Sequence, residues 1–156
     1  MMQLEIPGWS TLELAHLILD LNGTVALDGE PIAGVAERVA ALSGDLAVHL
    51  VTADTRRKAE ETSRQLGCHL VRIQPRHEAN QKRVLVERVG AEHTVAVGNG
   101  ANDAQMLSAA ALGIAILGPE GLAMEALRAA DLVVGHIEDA LDLLLQPQRL
   151  VATLRR

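Results

Sequence analysis

The chain has 156 residues, is 49% hydrophobic and 22% charged, and carries a formal net charge of −6. That length suits a single domain over residues 1–156, because folding at this size removes roughly 68–70% of the chain's accessible surface. An acidic chain exerts no overall attraction on nucleic acid or anionic lipid, and with Trp9 as its one aromatic residue it lacks the stacking platforms of single-strand binders. The single Cys68 makes neither an internal disulfide nor a thiolate metal cluster. "MMQLEIPGWS" lacks the basic start and apolar run of a signal peptide, and no apolar stretch reaches the roughly 18 residues of a membrane helix. The expectation is a cytoplasmic protein without nucleic-acid or membrane partners.

In chain order, "MQLEIPGWSTLEL" predicts a hairpin, with alternating residues on both sides of a Pro-Gly turn. "HLILD" is an apolar run ending in a charge, as expected of a strand buried on both faces. "PIAGVAERVAAL" has helical spacing, with Ile32, Val35, Val39 and Leu42 on one side and Gly44 as a stop. "LAVHLVTAD" predicts a second buried strand, "TRRKAEETSRQLG" a charged surface helix, "HLVRI" a third strand and "EANQKRVLVERVG" a helix. "HTVAVGNG" is a fourth strand running into glycines, followed by a helix over "ANDAQMLSAAA" and a fifth strand over "LGIAIL". A helix over "GLAMEALRAA", a short strand "DLVV" and a helical tail broken near Pro147 complete the pattern. Regular alternation of strand and helix predicts an α/β fold: one doubly wound, mostly parallel, Rossmann-like sheet with helices on both faces.

In such sheets ligands bind beyond the carboxyl ends of the strands. The residues just after the strands are Asp20 to Thr24, Thr52 to Asp54 and Gly98 to Asp103. Taken singly, each has an ordinary structural use. Asp20 suits a nucleophile or a cation ligand, and equally a turn cap before Gly23. Thr52 suits an oxyanion contact or a strand residue or helix cap, and Lys82 a phosphate partner or a solvated helix face. Asp54 lines the site or caps the next helix. "VAVGNGANDAQM" says more, since glycines admit a ligand to the backbone and Asn and Asp supply oxygen ligands for a hard cation. It is not the dinucleotide fingerprint, because Asp103 stands where the third glycine belongs. His16, His49 and His69 are expected to be packed, hydrogen-bonded residues, and no two histidines have metal-site spacing. Cys68 is expected to be a small buried hydrophobe.

The order of "DLNGT", "LVTAD", Lys82 and "GNGAND" resembles the haloacid dehalogenase-like (HAD) phosphohydrolase superfamily, across nearly the whole chain. "IPGWSTLEL" and "GNGANDAQML" are most similar to the soluble, cap-less relatives of the P-type ATPase phosphorylation domain. The resemblance implies that Asp20 attacks a phosphoryl group and becomes an aspartyl phosphate. It implies Mg²⁺ held by Asp20, the backbone carbonyl of Asn22, Asn99 and Asp103. It implies that Gly23, Thr52, Ala53, Lys82 and Asn102 bind the phosphate, with Asp20, Asn22, Thr52 and Lys82 forming the catalytic set.

Two departures bear on activity. The family's phosphatases carry a second Asp where this chain has Asn22, and that acid protonates the leaving group and activates water. Such general acid–base help is worth roughly 10²–10⁴ in rate. Asn99 stands where the family usually has a metal-binding Asp, which predicts weaker Mg²⁺ binding. The expected function is a slow Mg²⁺-dependent phosphatase, and the alternative is a catalytically degraded phosphate-binding or regulatory module on the same scaffold. A two-component receiver domain fits less well, because receivers place the acceptor Asp after a later strand. Only "VALDGEP" separates Thr24 from Ile32, so no cap domain fits there. An open site favours a macromolecular phosphorylated substrate or a second copy of the chain acting as a lid.

Overall fold

The computed structural model describes all 156 residues, Met1–Arg156. Strands β1 (Met2–Ile6) and β2 (Ser10–Leu14) form the expected antiparallel hairpin. Its turn passes through Gly8 at φ 77, and Trp9 N–H donates to the Ile6 carbonyl at 3.0 Å. The inward residues Leu4, Ile6, Leu12 and Leu14 join the core, as the period of two requires.

The main sheet has six parallel strands: β3 (His16–Asp20), β6 (Ala47–Thr52), β7 (His69–Arg72), β8 (Thr94–Gly98), β9 (Leu112–Ile116) and β10 (Leu132–Val134). Their order is β10-β9-β8-β3-β6-β7. From β3 the chain winds outward through β6 and β7, then crosses back to β8 and winds the other way. The reversal leaves a crevice at the carboxyl ends of β3 and β8.

Both faces of the sheet are covered, so its strands are apolar rather than alternating. Leu17 and Leu19 of β3 belong to a core of 28 buried residues on one face, and Ile18 to a core of nine on the other. The first face is packed by α1 (Val35–Leu42), α2 (Arg57–Leu66) and α6 (Ile137–Leu145). The second is packed by α3 (Glu78–Val89), α4 (Ala104–Ala109) and α5 (Met124–Ala129). The helix α7 (Pro147–Leu154) starts at Pro147, where the helical tail was expected to break, since proline suits a first turn but not a helix interior.

Three local readings are corrected. The helix expected from Pro31 begins at Val35, because a small hairpin, β4 (Ala26–Leu27) and β5 (Glu30–Pro31), takes the preceding residues. Two-residue strands carry no periodicity to detect. The helix expected from Ala101 opens as a 3₁₀ turn, Ala101–Asp103, and becomes α4 at Ala104. A further 3₁₀ turn, Ala91–His93, precedes β8. Between Asp20 and Thr52 the chain makes only the small hairpin and α1, with no inserted cap.

Candidate active site

Asp20 ends the central strand, and its side chain is 12% exposed. Lys82, on the second turn of α3, reaches under the sheet edge with its side chain only 2% exposed. Its ammonium donates to Asp20 Oδ1 at 2.7 Å and to Asp103 Oδ1 at 2.6 Å. Asp103 is fully buried, and its Oδ2 accepts the Asn99 and Gly100 backbone N–H groups at 3.0 and 2.9 Å. The lysine on a polar helix face is therefore held in the interior, because two carboxylates replace the water it gives up.

Gly98 makes this arrangement possible. A Cβ there would lie 2.5 Å from Asp103 Cγ, so only glycine lets the carboxylate tuck beneath the end of β8. The buried group holds two carboxylates against one ammonium. Burial, with Asp103 adding repulsion, pushes the Asp20 carboxyl up to about 7, against the pull of Lys82. Burial works against charge on Lys82, but Asp20 and Asp103 outweigh it and hold its pKa above the ordinary lysine value.

Thr24 bridges two site residues. Its hydroxyl lies 3.3 Å from Asn99 Oδ1 and 3.5 Å from Asp20 Oδ2, and its single proton serves one of them at a time. Thr52 is 3% exposed and its Oγ1 accepts the Asp54 backbone N–H at 3.0 Å. Asn102 donates to Glu78 Oε2 at 2.7 Å. Asp54 is gripped by Arg56, whose hydrogen bonds hold its carboxyl down to about 2. It lines the cleft, and the residue capping α2 is Arg56 instead.

These groups surround an open cleft of about 470 Å³. Of the expected residues, Asp20, Asn22, Thr52, Ala53, Lys82, Asn99 and Asn102 line it. Two do not. Asp103 lies behind Lys82, its oxygens engaged by the lysine and by the Asn99 and Gly100 N–H groups. Gly23 spends its N–H on the Ala26 carbonyl at 2.8 Å, so that group is not free for a phosphate. The resemblance implied a phosphate contact for Gly23, but the short β4–β5 hairpin takes this donor.

Sequence reasoning missed Glu78 and Glu120, which also line the cleft. Glu78 opens α3 and looks like an ordinary first-turn acid. Glu120 sits in "LGPEG" after β9, an edge position that the rule of strand carboxyl ends could have flagged. With both counted, the cleft wall carries four carboxylates, Asp20, Asp54, Glu78 and Glu120, against Arg56 and Lys82. A wall with two excess negative charges repels a phosphate unless a cation is present. The oxygens of Asp20 and Asn99 are hard donors that fit Mg²⁺. The Asn22 carbonyl, which accepts no hydrogen bond within the chain, is a third.

The fold is an α/β, doubly wound sheet with a carboxylate–lysine–carboxylate group at its switch point. The chain belongs to the haloacid dehalogenase-like hydrolase family, whose model matches residues 1–111. Over 61 residues, 39% of this chain, it is 49% identical to an uncharacterised protein of Methanocaldococcus jannaschii, of which it covers 66%. An equal length is 43% identical to a phospholipid-transporting ATPase of Saccharomyces cerevisiae, of which it covers 4%. This supports the relation to P-type ATPases read from "GNGANDAQML". Among solved structures, the fold is similar to the 3-deoxy-D-manno-octulosonate 8-phosphate phosphatase of Moraxella catarrhalis, in complex with magnesium, phosphate and its sugar. The TM-score is 0.71 at 14% identity, covering 91% of this chain and 94% of that one. The cobalt-bound deoxy-D-mannose-octulosonate 8-phosphate phosphatase of Haemophilus influenzae gives 0.71 at 16% identity, with 88% and 90% covered.

Proposed function

We propose that the chain is a slow Mg²⁺-dependent phosphatase that forms an aspartyl phosphate on Asp20. The observation that carries this reading is the buried Lys82 clamped between Asp20 and Asp103 at the switch point, with Asp20 facing the cleft. A carboxylate oxygen of Asp20 attacks phosphorus, the bond from phosphorus to the leaving oxygen breaks, and that oxygen departs with the electron pair. Water then attacks the phosphorus of the aspartyl phosphate, releasing inorganic phosphate and restoring Asp20. Lys82 holds the nucleophile in place and offsets charge as the phosphoryl group arrives. Asp20, the Asn22 carbonyl and Asn99 would hold Mg²⁺, which supplies charge neutralisation for the phosphoryl oxygens.

Asn22 neither donates a proton to a leaving alkoxide nor takes one from water. Asp54, with its carboxyl held down to about 2, is no substitute acid near neutral pH. The chain therefore favours substrates with stable leaving groups, such as acyl or aryl phosphates. The open cleft suits a macromolecular substrate or closure by a second subunit. Asn22 and Asn99 together also favour the second reading, a phosphate-binding or regulatory module that no longer turns over.

Hydrolysis of an aryl phosphate by wild type, Asp20→Asn and Asn22→Asp, with and without Mg²⁺, separates the two. The enzyme reading expects Mg²⁺-dependent turnover, lost in Asp20→Asn and raised by up to about 10²-fold in Asn22→Asp. Wild type and Asp20→Asn equally inert at high Mg²⁺, with phosphate still bound, would leave the module reading standing.

A further inference from the structure

We infer that Glu120 supplies the cation site of this chain with the negative charge that Asn99 does not bring. The inference rests on the proposed cation-dependent phosphoryl site. "GPEG", residues 118–121, forms a tight turn with Pro119 second and Glu120 third, closed by Gly121 N–H donating to the Gly118 carbonyl at 2.9 Å. The turn is fastened to Asn99 twice. Asn99 Nδ2 donates to the Gly121 carbonyl at 3.2 Å, and the Asn99 carbonyl accepts the Ala123 N–H at 2.9 Å.

A carbonyl only accepts, so the Gly121 contact fixes the amide and turns Asn99 Oδ1 toward Thr24. An aspartate at position 99 could not donate to Gly121, and its charge would repel that carbonyl. Asn99 thus keeps one oxygen at the site and uses its nitrogen to hold the turn that carries Glu120.

Glu120 lines the same cleft as Asp20, Asn22 and Asn99. Gly23 has φ 79 and bears no Cβ where one would lie 2.2 Å from Glu120 Oε2 and 3.0 Å from Asn99 Nδ2. The Glu120 carboxylate thus lies over the bare Cα of Gly23, on the same side as the Asn99 amide. The other carboxylates of the wall have partners: Asp20 has Lys82, Asp54 has Arg56 and Glu78 has Asn102. Glu120 is exposed and makes no hydrogen bond or ion pair within the chain, so its carboxylate is free to turn toward a hard divalent cation in the cleft it lines.

The test is binding of Mg²⁺ by calorimetry, and of Mn²⁺ by its electron paramagnetic resonance signal, to the full chain without substrate. Glu120→Gln is expected to weaken both by roughly tenfold or more, as losing a charged partner of a bound metal does. Its melting temperature in chelator should match wild type. Adding Asn99→Asp to Glu120→Gln should recover the affinity, because the turn no longer needs its tether and the charge returns at position 99. Tight binding by wild type that is lost in Asp20→Asn but unchanged in Glu120→Gln overturns the role of Glu120 alone. A double variant no better than Glu120→Gln overturns the compensation. Wild type that binds neither ion overturns this role and the Mg²⁺-dependent reading together.

Discussion

The two ends of strands β3 and β6 treat titratable side chains in opposite ways. At the carboxyl end, the buried Lys82 ammonium lies 2.7 Å from Asp20 Oδ1 and 2.6 Å from Asp103 Oδ1. Toward the amino end, His16, His49 and His69 form a ladder across β3, β6 and β7, with ring centroids 5.5 and 5.6 Å apart. There, burial first, then His16, His69 and Arg88, push the His49 imidazole down to about 4, so it stays neutral. One His16–His49 contact, Nδ1 to Nε2 at 3.3 Å, serves the neutral rings. The lesson is that burial works against charge, and that the cleft end sets a lysine between two carboxylates whereas His49 has no partner of opposite sign.

The sharpest way to break this contrast is Lys82→Met, which leaves Asp20 and Asp103 facing each other without a cation. It should abolish hydrolysis and lower the unfolding free energy by about 3–5 kcal/mol, read from urea denaturation. Gly98→Ala acts on the same group from behind, since its new methyl meets Asp103 at 2.5 Å. A cost of about 1–3 kcal/mol is expected, together with reduced turnover, because Lys82 loses its second anchor. An alanine variant with the stability and kcat of wild type would mean that Asp103 need not lie under Gly98.

The smallest effect lies at the amino end and in its pH dependence. His49 has a folded pKa of about 4, below the ordinary imidazole value of about 6.5, so between these values the unfolded chain binds a proton that the folded one does not. Stability should therefore fall as the pH drops through that window, by about 1–2 kcal/mol after allowance for the half-exposed ring. His49→Leu should remove that share of the slope in urea midpoints taken from pH 7 to pH 4. At the other end the sign reverses in cation-free protein. The Asp20 carboxyl, raised to about 7, favours folding below the ordinary carboxylate range, and this contribution is lost as the pH rises through 7. An Asp20→Asn variant should lack that opposing slope.

By itself the sequence determined the architecture and the main actors. Short apolar runs bounded by turn residues suit strands buried on both faces, and their alternation with amphipathic helices points to a parallel, doubly wound sheet. The runs also mark where strands end, so Asp20, Thr52 and the Gly98–Asp103 loop were legible as one edge. Only the tertiary structure decided what each does there. Lys82, one of only two lysines, reads equally as a solvated helix residue until α3 packs its face against the sheet. Only the fold shows that Gly98 leaves room for Asp103 behind the lysine, and that β4 takes the Gly23 N–H. Glu120 has no motif at all, because 21 residues separate it from Asn99 and only the docking of the 118–121 turn brings them together. Periodicity records which face is buried, whereas the pairing of charges across distant loops is set by packing that no local pattern encodes.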